Sequence, residues 1–146
     1  MTYQPDIEKR EGKDYIFCVW RKKYVRLTPE EWVRQHFLHA LVEDFGYPQA
    51  LIAVEASISV GDVKKRCDAI VYNAALQPLC IVEFKAPSVT LSQRVFDQVA
   101  VYNRQVGVKH FFLSNGHEHQ ACRVLENSYE RLPNIPLYNE LCQHTK

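Results

Sequence analysis

The chain has 146 residues, of which 47% are hydrophobic, so it is long enough for one domain with a substantial core. A formal net charge of +1 excludes a protein whose whole surface is strongly basic, so any affinity for nucleic acid must come from a local patch. The five cysteines lack C-x-x-C spacing, and we find no signal peptide or apolar run of membrane-spanning length. We therefore expect reduced thiols in a cytoplasmic protein without membrane contact.

The first part of the chain predicts a small amount of structure ahead of a helix. Residues 1–12 are polar, and we expect them to be mobile. Residues 15–20 and 24–27 predict a small hairpin. We interpret the basic residues 21–23 between them as a solvated turn and not as a phosphate contact.

A helix is predicted to begin after Thr28 and to end near residue 45. The threonine suits the N-cap, Pro29 suits the first helical position, and Glu30 and Glu31 lie where the helix dipole favours negative charge. On a helical wheel Glu30 lies on the core face and Glu31 to its side. Because the dipole alone explains both acids, the sequence leaves open whether either one serves a functional site.

Three charged residues interrupt two strands that are otherwise apolar. Residues 67–72 and 79–86 predict a hairpin, and strands of this composition are usually covered on both faces of the sheet. Asp68 lies in the first strand, and Glu83 and Lys85 lie in the second. A buried carboxylate is costly unless it is paired or binds a metal.

The register of this hairpin decides whether the charges meet. If Asn73 faces Pro78 at the turn, Asp68 lies opposite Glu83, with about 5 Å between the Cβ atoms. Alternation of side chains along the strand then places Lys85 on the same face. Two like charges in this arrangement repel each other, whereas a divalent cation, which takes oxygen ligands, would reverse the sign of the interaction.

A second helix is predicted after the hairpin. Thr90 and Gln93 fit a capping box, and Gly107 suits the end of the helix. Gln98 and Tyr102 are predicted to lie one turn apart within its apolar stripe, where polar side chains need hydrogen-bonding partners.

Further strands are predicted on either side of these elements. Residues 51–60 predict a strand, and residues 109–114 predict one that is parallel to the Glu83 strand, because a right-handed crossover joins them. Residues 120–126 predict an edge strand, and a short helix follows. The H-x-H-x-x-C pattern at 117–122 has no fourth ligand for zinc, so we interpret it as a polar turn.

These motifs resemble those of a known family. The pattern D-x14-E-F-K, from Asp68 to Lys85, resembles the PD-(D/E)xK nuclease fold. Gln98 and Tyr102 are similar to the Q-x-x-x-Y motif of RecB-like nucleases and of the R subunits of type I restriction enzymes. The basic residues ahead of the aspartate, with L-S-N-G and P-x-I-P downstream, extend the resemblance to the N-terminal nuclease domain of R subunits over about residues 27–141.

The resemblance implies an α/β fold with a restriction-endonuclease-like core. Its mixed β-sheet would contain a three-strand antiparallel meander and a parallel fourth strand, with helices flanking the sheet. We expect residues 1–146 to form one such nuclease-like domain.

The resemblance also implies a Mg²⁺-dependent deoxyribonuclease in which Mn²⁺ can substitute. The implied catalytic residues are Asp68, Glu83, Lys85, Gln98 and Tyr102. The implied metal ligands are Asp68, Glu83 and the backbone carbonyl of Phe84, with Glu30 or Glu31 as a further candidate. In this role Lys85 would orient or deprotonate the attacking water. The residues expected to bind DNA are Lys64, Lys65, Arg66 and Arg94.

The chain has no G-x-x-x-x-G-K-[ST] motif and hence no motor of its own. We therefore expect DNA as a partner of a free-standing nuclease, of a split subunit, or of a module that needs a separate motor or specificity subunit to cut. A homodimer is a further alternative. The alternative is a non-cleaving module that binds nucleic acid or a partner protein on the same fold. The intact set of Asp68, Glu83 and Lys85 favours the nuclease.

Overall fold

The computed structural model describes the backbone of residues 2–144 and the side chains of residues 2–143. The expected domain, residues 1–146, and the expected mobile segment, residues 1–12, therefore extend at their outer ends beyond the described residues. Within the described part of that segment, residues 7–10 form a paired strand.

The described residues form two β-sheets and three α-helices. The first sheet is antiparallel and consists of β1 (Ile7–Arg10), β2 (Lys13–Cys18) and β3 (Lys23–Arg26). The second sheet has six strands side by side in chain order, which are β4 (Ile52–Val60), β5 (Val63–Tyr72), β6 (Pro78–Phe84), β7 (His110–Ser114), β8 (His119–Val124) and β9 (Tyr129–Arg131). The helices are α1 (Pro29–Phe45), α2 (Gln93–Val106) and α3 (Tyr138–His144), with a 3-10 turn at Gln49–Leu51. None of the helices in this described part is both long and apolar enough to cross a membrane.

The six-stranded sheet is mixed, which confirms the predicted α/β class. β4, β5 and β6 form the antiparallel meander, and β7 is parallel to β6. α2 provides the crossover between these two parallel strands. β8, predicted at the edge, is internal because β9 pairs with it.

The β5–β6 hairpin confirms the predicted alignment of its two acids. Ala69 pairs with Val82, and continuing this register by one residue places Asp68 opposite Glu83. Because a shift of one residue would move one acid to the other face, this register decides whether a site can form here.

The turn of the same hairpin differs from the prediction by one residue. Tyr72, and not Asn73, pairs with Pro78. A β-bulge between Val71 and Tyr72 absorbs the extra residue, so the displacement does not reach the acids.

Helices cover both faces of the six-stranded sheet. On one face, Phe37 of α1 and Leu141 of α3 join Phe84 in a buried core. On the other face, Phe96 of α2 packs with Phe111 of β7. Phe84 therefore lies on the face opposite α2, and the predicted direction of its side chain is confirmed.

At one point along β4 and β5, the side chains that faced one side of the sheet begin to face the other side. On β4, Val54 belongs to the core beneath α1, whereas Ala56 belongs to the core beneath α2. On β5 the same change separates Ala69 from Cys67. The residue of β4 at the turning point is Glu55, whose φ of 51° lies in the left-handed region that non-glycine residues rarely adopt.

The helix ends follow local sequence signals. Thr28 Oγ1 accepts a hydrogen bond from the Glu31 N–H at 3.0 Å, which confirms the predicted start of α1. α2 begins after Ser92 and not after Thr90, whereas Gly107 ends it as predicted.

The burial of Phe84 predicts a large loss of stability when its ring is removed. Phe84 is 2% exposed, so Phe84→Ala should lower the free energy of unfolding by about 3–5 kcal/mol. Val101→Ala, at a residue that is 48% exposed on α2, should change it by less than about 0.5 kcal/mol. Urea unfolding measures both values, and equal losses would contradict this packing.

Candidate active site

Asp68 lies where β5 and β6 separate. The paired register of the two strands ends at Ala69 and Val82. Beyond this point, the N–H of Phe84 donates to Asp68 Oδ2 at 2.8 Å. The N–H of Lys85 donates instead to the carbonyl of Ser114 on β7, at 2.9 Å. The Asp68 carboxylate therefore holds β6 at the place where main-chain pairing with β5 stops.

Glu83 is the more enclosed of the two acids. Its side chain is 12% exposed, and its buried Oε1 has no hydrogen-bond partner. Burial, followed by the charge of Asp68, raises the pKa of Glu83 to about 7, while the ammonium groups of Lys65 and Lys85 act to lower it. Asp68 and Lys85 thus both act on the charge of Glu83, and their joint role in a reaction stays a prediction.

Lys65 lies against the acids and not on the open surface. Its Nζ is 3.7 Å from Glu83 Oε1 and 4.3 Å from the centre of the Tyr102 ring. Its neighbours Lys64 and Arg66 are exposed. All three residues belong to β5, which begins at Val63.

Gln98 and Tyr102 lie on the exposed side of α2, so the prediction that they fall in its apolar stripe is wrong. Gln98 is exposed, Tyr102 is 40% exposed, and both border a shallow surface depression. The side chains that α2 buries are Phe96, Val99, Ala100, Asn103 and Val106.

The sequence did not reveal Arg34 of α1, which is the most connected residue near the acids. Its guanidinium is 3.6 Å from Asp68 Oδ1, 3.4 Å from Glu31 Oε1 and 3.4 Å from Glu55 Oε1. Arg21, which follows β2, forms ion pairs with the same two glutamates. The prediction of a solvated turn at residues 21–23 is therefore wrong for Arg21.

The two acids at the start of α1 have the reverse of their predicted positions. Glu30 is exposed and Glu31 is buried, at 7% exposure. Gln35 donates to Glu31 Oε2 at 3.0 Å, in addition to the pairs with the two arginines. Both oxygens of Glu31 are thus already bonded. The spacing of Glu31, Arg34 and Gln35, three and four residues apart, was the signal for a buried polar face.

The arginines also act on Glu55, the acid at the turning point of β4. Partial burial acts to raise the pKa of Glu55, but Arg34 and Arg21 outweigh it and hold this pKa below its ordinary value. Glu55 therefore carries a negative charge that balances the two guanidinium groups, and Arg34 joins it to Asp68.

The donor atoms at Asp68 and Glu83 fit a hard divalent cation. Across the described residues, no three His, Cys, Asp or Glu side chains converge into a metal cluster. The oxygen donors here are two carboxylates and the nearby main chain, a set that suits Mg²⁺ or Mn²⁺ with bound water. His119 instead contacts Ser114 Oγ through its Nδ1 at 2.6 Å, and Cys122 is buried in the core beneath α2.

The fold is that of a nuclease-like module of restriction-enzyme type. Over residues 29–136 the chain matches the family described as the N terminus of the type I restriction enzyme R protein (HSDR_N). The chain belongs to that family. No curated protein matches the chain.

Two solved structures share the fold. One is a fragment of a candidate HsdR subunit of a type I restriction enzyme from Vibrio vulnificus YJ016, with a TM-score of 0.58 and 18% identity. The match covers 80% of this chain and 26% of that one, so this chain spans about a quarter of its length. The other is a candidate nuclease of the DUF820 group from Anabaena variabilis ATCC 29413, with a TM-score of 0.52 and 15% identity. That match covers 95% of this chain and 85% of the other.

Removing Arg34 should destabilise the protein strongly. Its side chain is 9% exposed and that of Glu31 is 8% exposed, so Arg34→Met leaves a buried carboxylate with fewer partners. We expect the free energy of unfolding to fall by about 3–5 kcal/mol. Arg94→Met, at an exposed arginine of α2, is the control and should change it by less than about 0.5 kcal/mol. Urea unfolding that gives the two variants similar values would remove Arg34 from the network.

The raised pKa of Glu83 predicts a pH dependence of stability without metal. Between its ordinary pKa of 4.5 and about 7, Glu83 keeps its proton in the folded chain and has lost it in the unfolded chain. Folding therefore takes up a proton, and the free energy of unfolding falls as pH rises through this interval, by a total of about 3 kcal/mol. It does not change further above the folded pKa.

The difference between wild type and Glu83→Gln isolates this contribution. Burial lowers the pKa of His39 and of His119, which gives stability the opposite dependence on pH, but both variants contain these residues. After treatment with a chelator, thermal unfolding across the interval should show that wild type loses stability relative to Glu83→Gln. A constant difference between the two would show that Glu83 titrates normally.

Proposed function

We propose that this module hydrolyses phosphodiester bonds of DNA in the cytoplasm, using Mg²⁺ or Mn²⁺ held by Asp68, Glu83 and the main-chain carbonyl of Phe84. The observation that carries the proposal is the buried Oε1 of Glu83, which lacks a hydrogen-bond partner beside a second carboxylate. When bound, the cation would polarise the phosphate and make its water more acidic.

The residues around the acids prepare them for this role. The Phe84 N–H fixes one oxygen of Asp68, and Arg34 lies near the other. Lys85 follows β6 and acts electrostatically on Glu83. We assign to Lys85 the orientation of the attacking water and help in removing its proton.

Exposed basic residues near the acids are the proposed contacts with the DNA backbone. Lys64 and Arg66 extend from β5, and Arg94 lies in the first turn of α2. We also assign Gln98 to the DNA side of the site, because it is exposed on the same helix as Tyr102. Phosphate contacts of this kind position a nuclease without reading sequence.

Partners follow from what the chain contains. It matches the family of type I restriction enzyme R protein N termini, and it spans about a quarter of the HsdR fragment that it resembles. We propose that it acts with a separate motor or specificity subunit, with a homodimer as the alternative assembly.

One observation favours a second function, a non-cleaving module that binds nucleic acid or a partner. Arg34 and Lys65 already lie near Asp68 and Glu83, so the acids form a partly neutralised cluster without any metal. In that case the cluster would serve stability alone, and the exposed basic residues would carry the binding function.

Metal binding and cleavage distinguish these two functions. Calorimetric titration with Mn²⁺ should show binding to wild type and none to Asp68→Ala, because that variant loses one of the two carboxylates. Lys85→Met should bind Mn²⁺ yet cut DNA about 10²- to 10⁴-fold more slowly, the usual contribution of general acid–base help. Lys109→Met, at an exposed lysine after α2, should cut as wild type does.

The assay uses linear, supercoiled and single-stranded DNA, with and without a motor subunit. If Lys85→Met binds Mn²⁺ and cuts at the wild-type rate, Lys85 has no part in the reaction. If wild type cuts none of these substrates under any condition, the non-cleaving module is the correct function.

A further inference from the structure

Lys65 is partly buried against an acid of the site, unlike the lysine and arginine on either side of it. Its side chain is 23% exposed, although its sequence neighbours Lys64 and Arg66 are exposed. The Lys65 ammonium lies between the Glu83 carboxylate, 3.7 Å away, and the ring of Tyr102, whose centre is 4.3 Å away. A lysine held in this way is not available to a DNA phosphate without leaving both groups.

The ammonium occupies the neighbourhood in which a divalent cation would bind Glu83. Oε1 of Glu83 is buried and has no hydrogen-bond partner, and the Lys65 ammonium forms an ion pair with it. Two cations so close to one oxygen repel each other strongly in a partly buried site. A divalent cation that binds there must therefore displace the ammonium or tolerate its repulsion.

We propose that the Lys65 ammonium is a counterion of Glu83 that a bound divalent cation displaces. The ring of Tyr102 holds this ammonium at the site when no metal is bound. The inference rests on the proposed function, since it takes the divalent cation to bind at Asp68 and Glu83. Without metal, Lys65 reduces the repulsion between the two carboxylates. When metal enters, the ammonium withdraws from the oxygen.

The ring of Tyr102, and not its hydroxyl, is the part that this role requires. An ammonium within about 6 Å of an aromatic centroid is attracted to the face of the ring. Tyr102 is 40% exposed and extends from α2, so it reaches Lys65 of β5 from the opposite side of the site to Arg34 of α1. Lys65 and Tyr102 are thus positioning residues that act through Glu83.

Removal of the counterion should strengthen metal binding. In calorimetric titration with Mn²⁺ alone, without DNA and at about pH 8, above the folded pKa of Glu83, Lys65→Met should bind about tenfold more tightly than wild type. Methionine keeps most of the apolar stem that lies along Tyr102. Lys64→Met removes the same charge from an exposed neighbour and should bind as wild type does. A variant that merely disturbed the structure would bind metal more weakly, so the sign of the change is diagnostic.

Variants of Tyr102 test whether its ring holds the Lys65 ammonium near Glu83. Tyr102→Phe keeps the ring and should bind Mn²⁺ as wild type does. Tyr102→Leu should bind Mn²⁺ more tightly, because the Lys65 ammonium is then less confined near Glu83. The double variant with Lys65→Met should bind no more tightly than Lys65→Met alone, since both changes act through one group.

Thermal unfolding after chelation is the readout that does not depend on metal affinity. Lys65→Met should be less stable than Lys64→Met without metal, and Mn²⁺ should reduce the difference. If wild type binds Mn²⁺ and Lys65→Met binds it equally or more weakly, the proposal that the cation displaces Lys65 is wrong, whereas the proposed function stands. If wild type binds no Mn²⁺, both are overturned.

Discussion

The hydrogen bond from the Phe84 N–H to the Asp68 carboxylate lies where the main chains of β5 and β6 stop pairing. β6 leaves β5 here and continues beside β7, so its main chain needs a new acceptor on one side. Asp68 supplies one, and the same geometry brings its charge beside Glu83. The opening between strands that makes room for a site is thus also stabilised by one of the residues of that site.

Charge balance extends from these acids across three further elements of the fold. Arg34 of α1 joins Asp68 to Glu31 and Glu55, and Arg21 pairs with both glutamates. Arg21 precedes the family match, which begins at residue 29. The small N-terminal sheet is therefore linked to the acids through a buried ion pair, although its strands lie outside the part of the chain that defines the family.

Local patterns predicted the parts of the site that lie on neighbouring strands. Alternation placed Phe84 in the core and brought Asp68 and Glu83 together. The turn lies one residue away from its predicted position, and the β-bulge between Val71 and Tyr72 compensates for this shift. The alignment of the acids survived because the apolar faces of β5 and β6 must both be buried, a constraint that outweighs the preference of a short turn.

Sequence alone determined the mixed sheet, its crossover helix and the meeting of two carboxylates, because each depends on periodicity over a few adjacent residues. Only the tertiary structure decided which long side chains neutralise those carboxylates. Arg34 of α1 pairs with Asp68 and Lys65 of β5 pairs with Glu83, and Glu31 in place of Glu30 is buried because neighbouring elements set the rotation of α1. The pair of Arg34 and Asp68 joins residues far apart in the chain, and it depends on how α1 packs on the sheet, which no local pattern specifies.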